Sequence, residues 1–476
     1  MPKPLAILAF AVLILGLFWL DRDRKARTSP ALWLPVIWLA LAGSRSVSEW
    51  LYYAAPAPTE VTALLEGDPL NRLVYTGLVA AALMALAVRG ARVLAVLQAN
   101  SLIVAFLLYC ALSLGWADYP DVGFKRWVKA VGDFSMILIV VSDRDPSAAI
   151  KRVLTRVGFI LIPVAVLMIK YFPDISRYYD VWDWSTYYSG PTMNKNSLGA
   201  ICLLFGVTSA WQFLAAFNGE DRHGLARRLV AHAVILLMAM WLFKLANSMT
   251  ALSCFLLGVL ILVVLEFRPV VRQPLLAHGL VVSLLAVTSA ILFIGLGPDV
   301  LLMMGRNPTL TDRTLIWDML LTMTTNTWLG TGFENFWLGP RLVRIWSVYK
   351  WGPTQAHNGF IEIFLNLGWI GIALLTTILL VGYLRIMTDL RRSSPTGNLM
   401  LAFFVIGIVY NFTEAAFFRI MTPVWLALLL AIIKVPDRQN LQTQPSIRAL
   451  PIRVPPVTLD VGGLRPSTRV RGGGRA

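Results

Sequence analysis

Residues 358–384 read NGFIEIFLNLGWIGIALLTTILLVGYL, with one charged side chain, Glu362. About 20 residues of helix cross the roughly 30 Å hydrocarbon core of a bilayer, so this run is long enough to span with some tilt. Similar apolar runs occupy 4–20, 29–43, 73–88, 93–115, 127–142, 157–169, 197–217, 229–246, 248–267, 275–297, 397–414 and 422–435. The pattern predicts an all-α, polytopic transmembrane helical bundle of about 12–13 spans. Composition agrees: of 476 residues, 57% are apolar and only 14% charged, against about 25% charged in soluble domains. A water-soluble globular enzyme is excluded. Cys110, Cys202 and Cys254 each lie inside an apolar run, which leaves neither a disulfide framework nor a zinc cluster.

Charge sets the expected orientation. The segments 21–27, 89–92, 143–156, 219–228, 268–272, 385–392 and the tail, with Glu266 and Lys434, hold 26 Lys and Arg against 10 Asp and Glu. The rest of the chain holds 16 against 16, so the whole net charge of +16 sits on one face. Basic loops stay cytoplasmic, which puts the amino terminus, 44–72, 171–195 and 298–357 on the outer side. The expected organisation is an extra amino-terminal span and basic loop (1–28), the first part of the bundle (29–297), a large periplasmic loop (298–357), the last helices (358–435) and a disordered basic cytoplasmic tail (436–476). The first run lacks a small-residue cleavage site and continues into Asp21–Arg27, as an uncleaved span does. The tail carries seven Arg against Asp437 and Asp460. Anionic lipid headgroups are its nearer partner, rather than nucleic acid, and no Gly-rich nucleotide loop is present.

Charges within spans are few. Asp133 lies one turn after Lys129, where the two can neutralise each other. His232 and His278 stand alone in apolar spans and suit packing or interhelical hydrogen bonds, and His223 sits in a basic loop. The outer helix ends are richer. Lys125, Arg126 and Lys129 crowd the start of the fifth span, where like charges repel unless an anion joins them, and the outward helix dipole favours the same anion. Snorkelling cations are the alternative. The segment Gly190–Gly199 opens the seventh span, with Pro191 and Asn196 suited to a turn and helix start and Lys195 as another outward cation.

In the outer loop, Thr311-Asp312-Arg313 can open a helix with Thr311 as cap and an apolar face of Leu315, Ile316, Met319, Leu320 and Met323, lying along the membrane interface. Trp317, one turn after Arg313, is a candidate cation–π brace. After the turn Gly330-Thr331-Gly332 the chain reaches His357, the one histidine on the outer side. Free imidazole, with a pKa of about 6.5, is suited to accept a proton from a sugar hydroxyl. Alternatively, it caps the eleventh span. A lone histidine with scattered acids does not make a metal site.

From about 105 to 432 the chain resembles the O-antigen ligase and polysaccharide polymerase superfamily. The resemblance is carried by Asn194-Lys195-Asn196-Ser197-Leu198-Gly199, Thr311-Asp312-Arg313-Thr314-Leu315-Ile316-Trp317, Trp328-Leu329-Gly330-Thr331-Gly332-Phe333, and His357-Asn358-Gly359-Phe360 with Leu367-Gly368-Trp369-Ile370-Gly371. It implies a twelve-helix bundle in the bacterial inner membrane, here with one extra amino-terminal span. It also implies transfer of a glycan from an undecaprenyl-diphosphate carrier to a hydroxyl on lipid A core or on another carrier-linked glycan, with no metal or other cofactor. The family's functional residues map onto Arg313, His357 and Arg126, although the family often has Gly where this chain has Asp312. Asn411-Phe412-Thr413-Glu414 is similar to exopolysaccharide polymerases of the ExoQ type.

Loss of a glycosyl–diphosphate bond develops negative charge that preorganised cations stabilise best where water is scarce. Arg126, Lys125, Lys195 and Arg313 are the expected cradle and His357 the expected base. Asn358, Glu362 and Glu414 are candidate supports, the two acids being equally readable as ordinary interface carboxylates. Paired glycosidase-type carboxylates are not evident. A lipid-linked glycan flippase would want an inverted repeat and a polar cavity at the bilayer midplane, and neither is visible in the sequence. A non-catalytic export scaffold is the third alternative.

Overall fold

The computed structural model describes residues 1–23, 28–51, 67–179, 186–218, 224–267, 269–270, 273–293, 310–324, 326–392 and 394–435, without the side chains of 218, 291–293 and 310–315. The chain divides into two units, Met1–Val435 and Pro436–Ala476, and the second, the expected disordered tail, lies outside the described residues, as does His223. The described residues of the first unit are mainly helical. Its helices are α1 Lys3–Leu20, α2 Trp33–Ala42, α3 Val47–Leu51, α4 Pro69–Ala99, α5 Ser101–Leu112, α6 Pro120–Val141, α7 Pro146–Tyr171, α8 Pro173–Ser176, α9 Lys195–Asn218, α10 Leu225–Ala246, α11 Met249–Val264, α12 Pro274–Phe293, α13 Leu310–Thr322, α14 Gly339–Val348, α15 Gly359–Arg391, α16 Gly397–Tyr410 and α17 Pro423–Ile432. Between α8 and α9 a short antiparallel pair, β1 Arg177–Tyr179 and β2 Thr186–Tyr188, joins Tyr178 to Tyr187. Nothing in the helical reading foresaw it.

Six described helices (α1, α4, α7, α9, α10 and α15) are long and apolar enough to cross a membrane, and six shorter apolar helices accompany them. Each expected span falls largely on helix where it is described, but the third and fourth are not separated by a loop. Helix continues through Arg89–Arg92 to Ala99 with a single break at Gly90 (φ 32°). Burial follows each helix's partners. Every residue of α17 is buried, as suits a helix apolar all round. By contrast α1 turns Leu8, Val12 and Leu15 outward, the surface expected to meet lipid.

Several polar groups inside the bundle find partners the sequence did not indicate. Asp133 accepts from the indole of Trp38 at 2.7 Å and from the Met421 amide at 3.0 Å, while the Lys129 ammonium sits 4.9 Å from the Tyr75 ring centroid. Asn100 bonds both the amide and the carbonyl of Lys434 and accepts from Arg385, tying α5 to the ends of α15 and α17. His232 lies 3.5 Å from Asp21, and His278 hydrogen-bonds Tyr383 at 2.6 Å.

The segment 327–332 folds onto α15 at a break in that helix. Gly368 has φ 63° and ψ −162°, which breaks the helix. The backbone groups freed there are taken up by the loop: Trp369 donates to the Thr327 carbonyl at 2.9 Å and Ile370 to that of Trp328 at 3.3 Å. On the other side of the break, Thr331 and Gly332 donate to the carbonyls of Leu365 and Asn366 at 3.1 and 2.8 Å. Backbone groups freed by a break inside a helix require such partners. A Cβ on Gly368 would lie 2.3 Å from the Trp328 carbonyl carbon. The motifs around Gly330 and Gly368 are therefore two halves of one joint.

Helix α13 begins at Leu310, so Thr311 lies inside it rather than at its cap. Ile316 and Leu320 pack with Phe336, Trp337, Leu342, Ile345 and Leu365 in a second apolar cluster. Trp317 donates its indole N–H to the Ala356 carbonyl at 2.7 Å, one residue from His357.

Candidate active site

The loop joint delivers His357 to the start of α15. Asn358 caps that helix, accepting from the amides of Phe360 and Ile361 at 2.9 and 3.1 Å, and the Gly359 amide donates to the Asn411 carbonyl at 2.8 Å. Only glycine fits there, since a Cβ would lie 2.0 Å from Asn411 Oδ1. Buried Glu362 secures the preceding residue, accepting from the Ala356 amide at 2.9 Å and the Trp337 indole at 2.7 Å. Between these anchors His357 takes φ 50°, a left-handed conformation that costs a non-glycine residue on the order of 1–3 kcal/mol and persists only where its surroundings enforce it.

The imidazole so placed lines a cavity of about 440 Å³. Its walls include Gly43, Ser44 and Ser46 after α2, Asn194, Asn196 and Ser197 at the start of α9, Gln355 and His357, and Glu414, Ala415 and Arg419 between α16 and α17. Glu414 is buried and gathers donors: His357 Nδ1 at 3.0 Å, Gln355 Nε2 at 3.3 Å and Asn196 Nδ2 at 3.4 Å. Arg419 in turn donates to Gln355 Oε1 at 3.0 Å. In the tautomer that donates Nδ1–H to the Glu414 carboxylate, the lone pair is on Nε2. The chain of contacts from Arg419 through Gln355 to Glu414 and His357 can therefore hold a proton acceptor beside a guanidinium in one cavity.

Of the expected site residues, His357 and Glu414 meet here. Asn358 and Glu362 hold backbone nearby, as described. The cations are distributed differently from the expected cradle. Arg126 reaches the carbonyl of Glu334 and lies 3.6 Å from its carboxylate. Lys125 is exposed, and the Lys195 ammonium stands 3.7 Å from the Tyr187 ring centroid. None of the three lines the cavity. The Arg313 side chain lies outside the described residues. Asn194, not Asn196, caps α9 by accepting from the Ser197 amide at 2.9 Å, which leaves Asn196 to reach Glu414. The cavity's cation is Arg419, which sequence reasoning passed over. The available signal was a lone cation in the apolar turn Ala415-Ala416-Phe417-Phe418-Arg419 between two spans. Among the described residues no group of three or more His, Cys, Asp and Glu side chains is arranged to hold a metal.

Residues 225–376 match the family model for O-antigen ligase. Over 291 residues the chain is 25% identical to the exopolysaccharide production protein ExoQ of Rhizobium meliloti (strain 1021), a stretch covering 59% of this chain and 64% of ExoQ. Over these stretches the chain is thus similar to O-antigen ligases and to an exopolysaccharide production protein. The region matching the family model holds Arg313, His357, Asn358 and Glu362 and ends before Glu414 and Arg419, so the far wall of the cavity lies beyond it.

Proposed function

We propose that this membrane protein is a metal-independent glycosyltransferase that moves a glycan from an undecaprenyl-diphosphate carrier to a hydroxyl acceptor on the periplasmic face of the bacterial inner membrane. The observation that carries the proposal is the His357–Glu414 pair, 3.0 Å apart, in a cavity that also holds Arg419. His357 takes the proton of the attacking hydroxyl on Nε2, a step worth about 10²–10⁴-fold for a positioned base. Glu414 orients the ring and stabilises the imidazolium, as the acid does in other carboxylate–histidine pairs. Arg419 faces the departing diphosphate, whose developing charge a fixed guanidinium stabilises.

Arg313 is the proposed second cation. It lies one turn before Trp317 on the same face of α13, and Trp317 touches the backbone beside His357. Lys195, at the start of the helix that supplies Asn194 and Asn196 to the cavity, is proposed to meet the carrier phosphate at the rim. Arg126 and Lys125 are proposed to serve the donor from the start of α6, Arg126 while also holding Glu334. Direct displacement inverts the anomeric carbon. The likeness to ExoQ favours a carrier-linked glycan over lipid A core as acceptor, which makes a polymerase the preferred reading and a ligase the second.

The test uses purified protein in liposomes with a carrier-linked glycan. A new glycosidic product, lost in His357→Ala protein that inserts normally, is the expected result. Movement of the glycan without product would mean a flippase, neither would mean a scaffold, and a product with retained configuration would exclude direct displacement. In cells lacking the protein, single unpolymerised repeats mark a polymerase; carrier-linked polymer with bare lipid A marks a ligase.

A further inference from the structure

Helix α2 has the His357 cavity at its Gly43 end. Near its other end, where α1 finishes against α7, lies a second cavity of about 170 Å³. Four cations line it: Arg22 from the end of α1, and Lys151, Arg152 and Arg156 from α7. Asp21 and Asp23 are the acids in its wall, so the cations exceed them by two. Lys151, Arg152 and Arg156 fall at helix spacings of four and five residues, and Arg152 and Arg156 are a repelling i,i+4 pair unless an anion lies between them. Arg152 bonds the Thr28 hydroxyl and the Asp23 carbonyl, and the Arg156 guanidinium lies 4.5 Å from the Trp33 ring centroid. These contacts fix both side chains at the cavity wall.

The decisive observation is Thr155. It lies one turn after Lys151, lines the same cavity and is only 6% exposed, yet its Oγ1 has no hydrogen-bond partner. A buried hydroxyl without a partner costs on the order of 1–3 kcal/mol, and buried polar groups in folded proteins are almost always paired. A ligand with acceptor oxygens removes that cost and joins the cations at once. Nothing in the proposed transfer reaction uses these residues.

We infer that this cavity binds a phosphate group, held by Lys151, Arg152, Arg156 and Arg22 and hydrogen-bonded by Thr155. The groups fit a phosphate monoester or diester better than a carboxylate, since a phosphate offers several acceptor oxygens to separate donors. A phospholipid headgroup is one source and free phosphate the other. The lipid source fits the position, because α1 reaches the cavity with Leu15 and Trp19 exposed, 69% and 54% respectively, an apolar flank for acyl chains.

Full-length protein in phosphatidylcholine nanodiscs, with and without phosphatidylglycerol, tests this by native mass spectrometry of retained lipid and by titration with inorganic phosphate. Phosphatidylglycerol is expected to be retained over phosphatidylcholine. Thr155→Val leaves the net charge unchanged and is expected to weaken retention about tenfold; Thr155→Ser restores it, and Lys151→Gln weakens it at least as much. Removal of residues 436–476 leaves retention at this cavity intact. If phosphatidylglycerol is not retained but inorganic phosphate binds and is lost in Thr155→Val, the site takes free phosphate. Thr155→Val and Lys151→Gln proteins that fold with the wild-type thermal midpoint and retain both ligands normally would overturn the inference, as would a wild type that binds neither.

Discussion

Replacing Glu414 with Gln isolates the role of the pair that carries the proposed chemistry. The substitution keeps the volume of a buried side chain that accepts from His357, Gln355 and Asn196 at 3.0, 3.3 and 3.4 Å, but removes its charge. A hydrogen bond to a charged group contributes about 1.5–3 kcal/mol. Here that contribution grows as the imidazole becomes an imidazolium in the transition state. At 1.36 kcal/mol per decade of rate, kcat should fall roughly 10–150-fold. Because the carboxylate acts on the base and not on the donor, KM for the carrier-linked glycan should stay within about twofold. Initial rates in proteoliposomes, with single-turnover measurements to separate chemistry from product release, read both constants. A correctly inserted Glu414→Gln protein at wild-type kcat would refute the pairing. A raised KM at unchanged kcat would instead assign Glu414 to substrate binding.

Arg419→Ala should lower kcat/KM by at least tenfold, about 1.4 kcal/mol, and by more than Arg126→Ala, whose partner Glu334 lies outside the cavity; the reverse order would return the main diphosphate contact to Arg126. Gly368→Ala should cost more than the 1–3 kcal/mol of a left-handed non-glycine residue, because its Cβ also displaces the Trp328 backbone; thermal unfolding and proteolysis at 326–333 would show the loop released, and an unchanged midpoint would mean the joint is not required. For orientation, the three native cysteines are buried, so single cysteines at exposed Ser347 and Arg144 report cleanly. A membrane-impermeant maleimide added outside intact spheroplasts should label Ser347→Cys and spare Arg144→Cys; the opposite pattern would invert the proposed topology.

The bundle was legible because a bilayer imposes one rule, about 20 apolar residues per crossing, and runs such as 358–384 satisfy it without reference to any other part of the chain. His357 was legible for a similar reason: it is a chemically distinct residue at a helix start beside recognisable motifs. The partners were not. Trp38 and the Met421 amide hold Asp133 from 95 and 288 positions away, while Lys129, its neighbour by helix spacing, rests on Tyr75. Local spacing sees i,i+4 neighbours and nothing across a bundle. The same limit hid Arg419, 62 residues after His357 and linked to it through Gln355 and Glu414.

Lys125, Arg126 and Lys195 lie off the cavity wall, and there is a physical reason for that placement. Cations at helix starts, such as Lys125 and Lys195, are easily placed where they meet water or an aromatic face, and neither outcome demands a ligand. A cation on the wall of a cavity differs, because its remaining donors have fewer alternatives and its charge is less screened. Arg419 meets that condition and is held by Gln355, which also touches Glu414. The proposed partner of the leaving group, Arg419, and the proposed orienting acid, Glu414, thus share one amide. Displacing Gln355 should therefore disturb both functions together, and Gln355→Ala should lower kcat and raise KM in the same protein. An effect on only one constant would show that the two ends of the network work independently.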